Sequence, residues 1–343
     1  MGSSVQPESR PGRAMTAPKD ISSMHSRGFI QKQSNLDAIR AIVKERQAWN
    51  TLLRDEGNFT DFMERCSALL EYVDKLKLDF DDLSLVHEAI LEHATSIENE
   101  LEGYNRAIDD DLAVARQVQR ALLPEASGPI ASAFDMAIFH KQLAQVGGDY
   151  YDFFYLPGER HAIGVYDISG HGVSSALIMA FLKAQFAHAT KRLDSPGAIV
   201  DWVNRSAYSF LREVRRYATV NFVMFTDRFL RYVSGGGYGL LVRRGTPRSF
   251  NRVSNFIGLR IKPFHEFELP FEEDDVLALY TDGMFEAQDA SGEIYSVQRL
   301  NEIVVKHSEE PVQVILDRCI EDYTRFRVAD ADDITLIILR RCA

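Results

Sequence analysis

The chain has 343 residues, more than one hydrophobic core of ordinary size holds, so two domains are expected. Hydrophobic residues make up 45% and charged residues 26%, as in globular proteins, and no apolar run approaches the roughly 20 residues that span a bilayer. The formal net charge of -11, with a pI near 5.4, argues against indiscriminate nucleic-acid binding but leaves room for a basic patch on one face.

Residues 1–34 are rich in Ser, Pro, Gly and Arg and lack hydrophobic periodicity, so they are expected to form a disordered tail without a secretory signal. The three cysteines, Cys66, Cys319 and Cys342, are far apart and contain no C-x-x-C. A disulfide framework or zinc site is therefore not expected, and a cytoplasmic setting fits. Residues 35–112 have helical spacing: Leu36, Ile39, Ile42 and Val43, then Phe62, Cys66, Leu69, Leu70, Val73 and Leu76. A turn is expected at 55–58, and a second break at 79–82, where Asp81 or Asp82 can cap a new helix. Next, Ile90, Ala94, Ile97, Leu101, Tyr104 and Ile108 keep a three-four rhythm that Leu112, Ala115, Val118 and Leu122 shift, like a short heptad seam with a stutter. Two readings stand: an amphipathic helix packed on its own domain, or a coiled coil with a second copy. Residues 110–124 are expected to form a linker helix that leads directly into the C-terminal region.

Beyond Pro124 strands are expected at 134–139, 161–166, 219–226, 229–233, 239–243, 267–270, 275–280 and 334–339. Helices are expected at 174–188, 198–212, 297–307 and 311–325. Strand blocks interrupted by helix pairs indicate α+β rather than a doubly wound sheet.

Four aspartates sit where these strands break into tight turns: Val146-Gly147-Gly148-Asp149-Tyr150-Tyr151-Asp152, Tyr166-Asp167-Ile168-Ser169-Gly170-His171-Gly172, Tyr280-Thr281-Asp282-Gly283 and Asp332-Asp333-Ile334-Thr335. Each phrase alone reads as a turn or a solvated strand edge. Strands pairing in one sheet can bring their ends together, and clustered carboxylates repel unless they take protons or a cation. Hard oxygen ligands select Mg²⁺ or Mn²⁺ over zinc, and two such ions about 3.5–4 Å apart clamp a phosphoryl displacement.

From about residue 113 to the end, roughly two thirds of its length, the chain resembles the RsbU/SpoIIE branch of the metal-dependent (PPM-type) serine/threonine protein phosphatases. Besides the four phrases, the match includes Ala115-Arg116-Gln117-Val118-Gln119-Arg120-Ala121-Leu122-Leu123-Pro124, Ala176-Leu177-Ile178-Met179-Ala180 and the continuation Met284-Phe285-Glu286-Ala287. The resemblance implies an α+β phosphatase domain at 113–343, a β-sandwich flanked by helices with two Mn²⁺ or Mg²⁺ ions at one end. Residues 35–112 are expected to be a helical regulatory and dimerisation region, dimerisation from the apolar seam and regulation from their position and helical content, which resemble the partner-binding region of RsbU-like proteins. By position, Asp167 would bridge the two ions and the Ile168 carbonyl would add an oxygen to one. Asp282 and Asp332 would hold the second, with Asp333 a weaker candidate, and Asp149 would meet the first directly or through water. His171 is a candidate general acid or a structural member of its loop, and Tyr150, Tyr151 and Phe153 are expected to pack. The implied substrate is a phosphorylated STAS-domain anti-anti-sigma factor, with an activating partner at the N-terminal helices; the homodimer is expected from the apolar seam. A scaffold or pseudophosphatase is the alternative. Two departures stand out. Ser234-Gly235-Gly236-Gly237-Tyr238-Gly239 replaces an Asn-Ala-Gly-His-Pro-like turn and lacks its histidine. No arginine precedes Gly147, where eukaryotic relatives place a phosphate-binding one.

Overall fold

The computed structural model describes residues 56–125, 129–156, 158, 160–250 and 255–342. The expected tail and the helix around Leu36–Val43 lie outside the described residues. The chain divides into two compact units, Met1–Glu100 and Leu101–Ala343. A single helix, α1 (Glu56–Leu122), runs for 67 residues. The turn expected at 55–58 is therefore absent from Glu56 onward, and so is the break at 79–82. Nothing in α1 forces the backbone out: it contains no proline, and an interior aspartate costs at most about 0.7 kcal/mol relative to alanine.

The remaining fold is two antiparallel sheets with a helix pair on each outer face. After the short α2 (Pro129–Ala133), the first sheet takes β1 (Phe134–Lys141), β10 (Ile334–Arg341), β9 (Val276–Tyr280), β6 (Tyr238–Arg243) and β7 (Thr246–Ser249), in that order. The second takes β2 (Tyr150–Leu156), β3 (Arg160–Tyr166), β4 (Val220–Phe225), β5 (Phe229–Gly235) and β8 (Phe267–Pro270). Helices α3 (Val173–Ala189) and α4 (Pro196–Glu213) cover the second sheet; α5 (Val297–Lys306) and α6 (Val312–Phe326) cover the first. Local chemistry sets these helices: Ser195 caps α4 by accepting from Ala198 N–H, with Pro196 at its first position, and Ser296 caps α5 through Arg299 N–H.

The period of two along each strand sorts side chains between layers. On β9, Leu277 and Leu279 enter the space between the sheets, whereas Val276, Ala278 and Tyr280 face α5 and α6. On β4, Val223 and Phe225 point inward while Val220, Phe222 and Met224 meet α3 and α4. Both faces being covered, these strands are apolar throughout rather than alternating. Burial of their larger side chains contributes roughly 1.5–3 kcal/mol each. A half-buried ion pair, Lys183 Nζ to Asp152 Oδ2 at 2.5 Å, ties α3 to β2.

Candidate metal centre

Pairing register delivers the aspartates. Tyr150 at the start of β2 lies opposite Tyr166 at the end of β3, so Asp149 and Asp167 leave the second sheet at the same end. In the first sheet Leu336 lies opposite Tyr280, which brings the 332–333 pair beside Asp282. Hydrogen bonds across the sandwich join the two ends: the Thr281 and Thr335 hydroxyls both donate to Asp149 Oδ2, at 2.7 and 2.8 Å. Asp149 is fully buried with one oxygen fixed by two hydroxyls.

Asp332 and Asp333 divide the work. Asp333 is buried and brackets the loop before β2: its Oδ1 accepts from Leu143 N–H at 2.7 Å, and its Oδ2 from Gly148 N–H at 2.7 Å and Asp149 N–H at 3.4 Å. A Cβ on Gly147 would stand 2.1 Å from that carboxylate, which is why glycine is required there. Gly148 is required for a second close approach, since its Cβ would lie 2.7 Å from the Ile168 carbonyl oxygen. The loop after β3 is held from its other side by Thr219 N–H to Asp167 O at 2.8 Å and Ser169 N–H to Tyr217 O at 2.9 Å. The Ile168 carbonyl oxygen lies on the Gly148 side of that loop.

Electrostatics bring the carboxylates into one group. Burial, then the charges of Asp282, Asp332, Asp333 and Glu286, pushes the Asp167 carboxyl up to about 8. Asp149 is raised well above the ordinary carboxylate range by burial and then by Asp167, against the pull of its threonine partners. Asp282, Asp332 and Glu286 are also raised, chiefly by burial, with Asp332 acting on Asp282 and both acting on Glu286. Among the described residues no Lys or Arg pairs with any of these six. His171 is exposed and faces Asp332, lowering its pKa. Also among the described residues, no three His, Cys, Asp or Glu side chains close around one point. An all-oxygen set that runs from buried Asp149 and Asp333 through half-buried Asp167, Asp282 and Asp332 to exposed Glu286, with no basic partner among the described residues, fits a hard divalent cation.

The structure thus gathers Asp149, Asp167, Ile168, Asp282 and Asp332, with His171 at the exposed rim. Tyr150 stacks on Tyr166 at 4.3 Å between ring centroids, and Tyr151 and Phe153 lie in the core between the sheets. Three contributors escape a reading of the sequence. Glu286 stands one turn beyond Asp282, and its i+4 spacing is a usable signal. Tyr238, in the glycine-rich turn, sits where its phenol is raised by burial and then by Asp282 and Glu286. Gln119 of α1 grips the Gly147 peptide at both ends, with Nε2 donating to Gly147 O at 2.7 Å and Oε1 accepting from Gly147 N–H at 3.1 Å.

A family profile described as Stage II sporulation protein E (SpoIIE) matches residues 157–342, a span that holds Asp167, Asp282 and Asp332 but begins after Asp149. Phosphoserine phosphatase RsbP of Bacillus subtilis (strain 168) is 26% identical over 211 residues, 59% of this chain and 50% of RsbP. The chain therefore spans about half the length of that curated relative. The SiaA-PP2C domain of Pseudomonas aeruginosa superposes with a TM-score of 0.62 at 23% identity, over 69% of this chain and 98% of that domain. The RsbU and RsbW domains of Rv1364c from Mycobacterium tuberculosis give 0.52 at 22% identity, over 62% of this chain and 60% of that one. These likenesses establish a PP2C-type fold.

Proposed function

The chain belongs to the SpoIIE family, and we propose that it is a divalent-cation-dependent protein phosphatase acting on phosphoserine or phosphothreonine. The observation that carries the reading is the convergence of buried and half-buried carboxylates, with no basic partner among the described residues, at one end of the sandwich. Asp149, Asp167, the Ile168 carbonyl, Asp282 and Asp332 would hold two Mn²⁺ or Mg²⁺ ions. When bound, such ions neutralise phosphoryl oxygens and acidify water. The chain's own residues prepare that chemistry. Thr281 and Thr335 keep Asp149 in one orientation, and Asp333 and Gln119 fix the backbone that presents it. In this reading His171, exposed beside Asp332, would give a proton to the departing serine or threonine oxygen.

The substrate in this proposal is a phosphorylated STAS-domain protein of a partner-switching pathway in the cytoplasm. The similarity to a protein named phosphoserine phosphatase supports the chemistry, and the free thiols of Cys66, Cys319 and Cys342 are compatible with that compartment. No helix of the described residues is long and apolar enough to cross a membrane. The helical region upstream of residue 110 takes an activating partner, and the grip of Gln119 on Gly147 supports a linker, 110–124, that conveys that event to Asp149. The test is metal dependence: EDTA-treated protein should not hydrolyse p-nitrophenyl phosphate until Mn²⁺ or Mg²⁺ is restored. Full turnover in EDTA would refute the proposal.

A further inference from the structure

Behind the loop that carries Asp167, a second pairing fixes the exit of α4. Ala218 exchanges two backbone hydrogen bonds with Ile257, at 3.0 and 2.9 Å, and its neighbours Tyr217 and Thr219 bond to Ser169 and Asp167. This ladder places Arg216 directly on the loop, and Arg212 and Arg215 precede it at the end of α4. Arg216 N–H donates to Leu211 O at 2.9 Å, and the chain turns at Arg215 with φ 55°. Left-handed backbone just past a helix favours glycine, so the arginine there supplies a side chain at the expense of backbone strain. Arg216 lies over the loop, its Nη1 donating to Ser169 O at 2.9 Å.

Tyr208, Arg212, Arg215, Arg216, Tyr217 and Leu259 line a cavity of about 460 Å³ here. Arg212 and Arg215 are exposed, and among the described residues none of the three arginines pairs with a carboxylate, although the chain carries a net charge of -11. The acid in that turn, Glu213, makes no ion pair with them. A phosphoprotein approaching the carboxylate-rich centre meets a cationic, aromatic-edged hollow beside it. Arginine's planar fork is suited to carboxylates and phosphates.

We propose that this arginine cavity is a substrate-recognition site, taking acidic side chains that flank the phosphoserine or phosphothreonine of a protein substrate. The inference rests on the phosphatase reading. Its test compares two phosphoserine peptides, one flanked by aspartates and one by lysines, with p-nitrophenyl phosphate as the unflanked control, all on the full chain at saturating Mn²⁺. Wild type should favour the acidic peptide by about tenfold in kcat/KM, through KM, and lose that preference as salt is raised. Arg212→Glu with Arg215→Glu should abolish or reverse the preference, while Arg212→Lys with Arg215→Lys should keep part of it. Turnover of p-nitrophenyl phosphate shows that the charge-reversed protein is folded and its centre intact. If that variant fails to fold, the salt dependence of wild type decides alone. An equal preference in wild type and the charge-reversed variant, or no salt-sensitive preference in wild type, overturns the inference and leaves the phosphatase reading standing. No hydrolysis of any of the three substrates by wild type overturns both.

Discussion

Among single residues, Asp149 and Asp167 differ in what compensates them. Asp149 has two hydroxyl donors on one oxygen, whereas Asp167 receives only a charge field from other acids, which adds to burial in pushing its carboxyl up to about 8. Metal-free protein should feel this as a pH dependence. A carboxyl raised from 3.8 stabilises the fold fully below about 4 and loses that contribution as pH rises through about 8. His140, lowered to about 4 by burial, acts oppositely: its contribution is present above 6.5 and lost as pH falls through 4. Between pH 6.5 and 8 the Asp167 effect still changes while that of His140 does not, so the melting temperature without metal should fall across that window. Mn²⁺ should raise it more at pH 8 than at pH 6.5, as thermal scans would read. A metal effect that is larger at the lower pH would show that Asp167 is not among the ligands. The tight turns mark these aspartates in the sequence, but only the family resemblance, and no local signal, ranks Asp332 above Asp333. Two identical letters before a strand differ only in which side chain the pleat turns inward, toward Leu143 and Gly148.

Among the elements, the end of α1 shows what helical spacing alone misses. The rhythm Leu112, Ala115, Val118 and Leu122 reads as one seam, yet Val118 is 58% exposed and Gln119 is buried. Shape and hydrogen bonding chose the amide, because the Gly147 peptide needs both a donor and an acceptor. Gln119→Ala leaves that peptide without its partner at a cost of about 1–3 kcal/mol. It should lower the melting temperature and raise the Mn²⁺ concentration needed for half-maximal activity, with KM for substrate little changed. An unaltered Mn²⁺ requirement would reduce Gln119 to a packing contact. Strand β2 escapes a reading of the sequence for a related reason: Tyr150-Tyr151-Asp152-Phe153-Phe154-Tyr155-Leu156 is covered on both faces and does not alternate. Elements with a clean period or a cap, such as α4 behind Ser195 and Pro196, are legible to within two residues at each end.

Across the molecule, the apolar pattern specifies two covered sheets, and distant turns become one site through strand register that no local signal records. The upstream helix poses the opposite problem. Ile90, Ile97, Leu101, Tyr104 and Ile108 are 45–69% exposed in a single chain, which is costly to leave in water. A second copy packed along this seam would recover roughly 1.5–3 kcal/mol for each side chain fully buried. Light scattering should therefore find a dimer, and Ile97→Asp with Leu101→Asp should give monomers. A wild-type monomer at micromolar concentration would reject the seam as an interface. Whether the converging aspartates make a phosphatase is decided by phosphate release from a phosphoserine protein at saturating Mn²⁺. Wild type should turn the substrate over and Asp167→Ala should not. Undiminished release by Asp167→Ala would contradict the assignment.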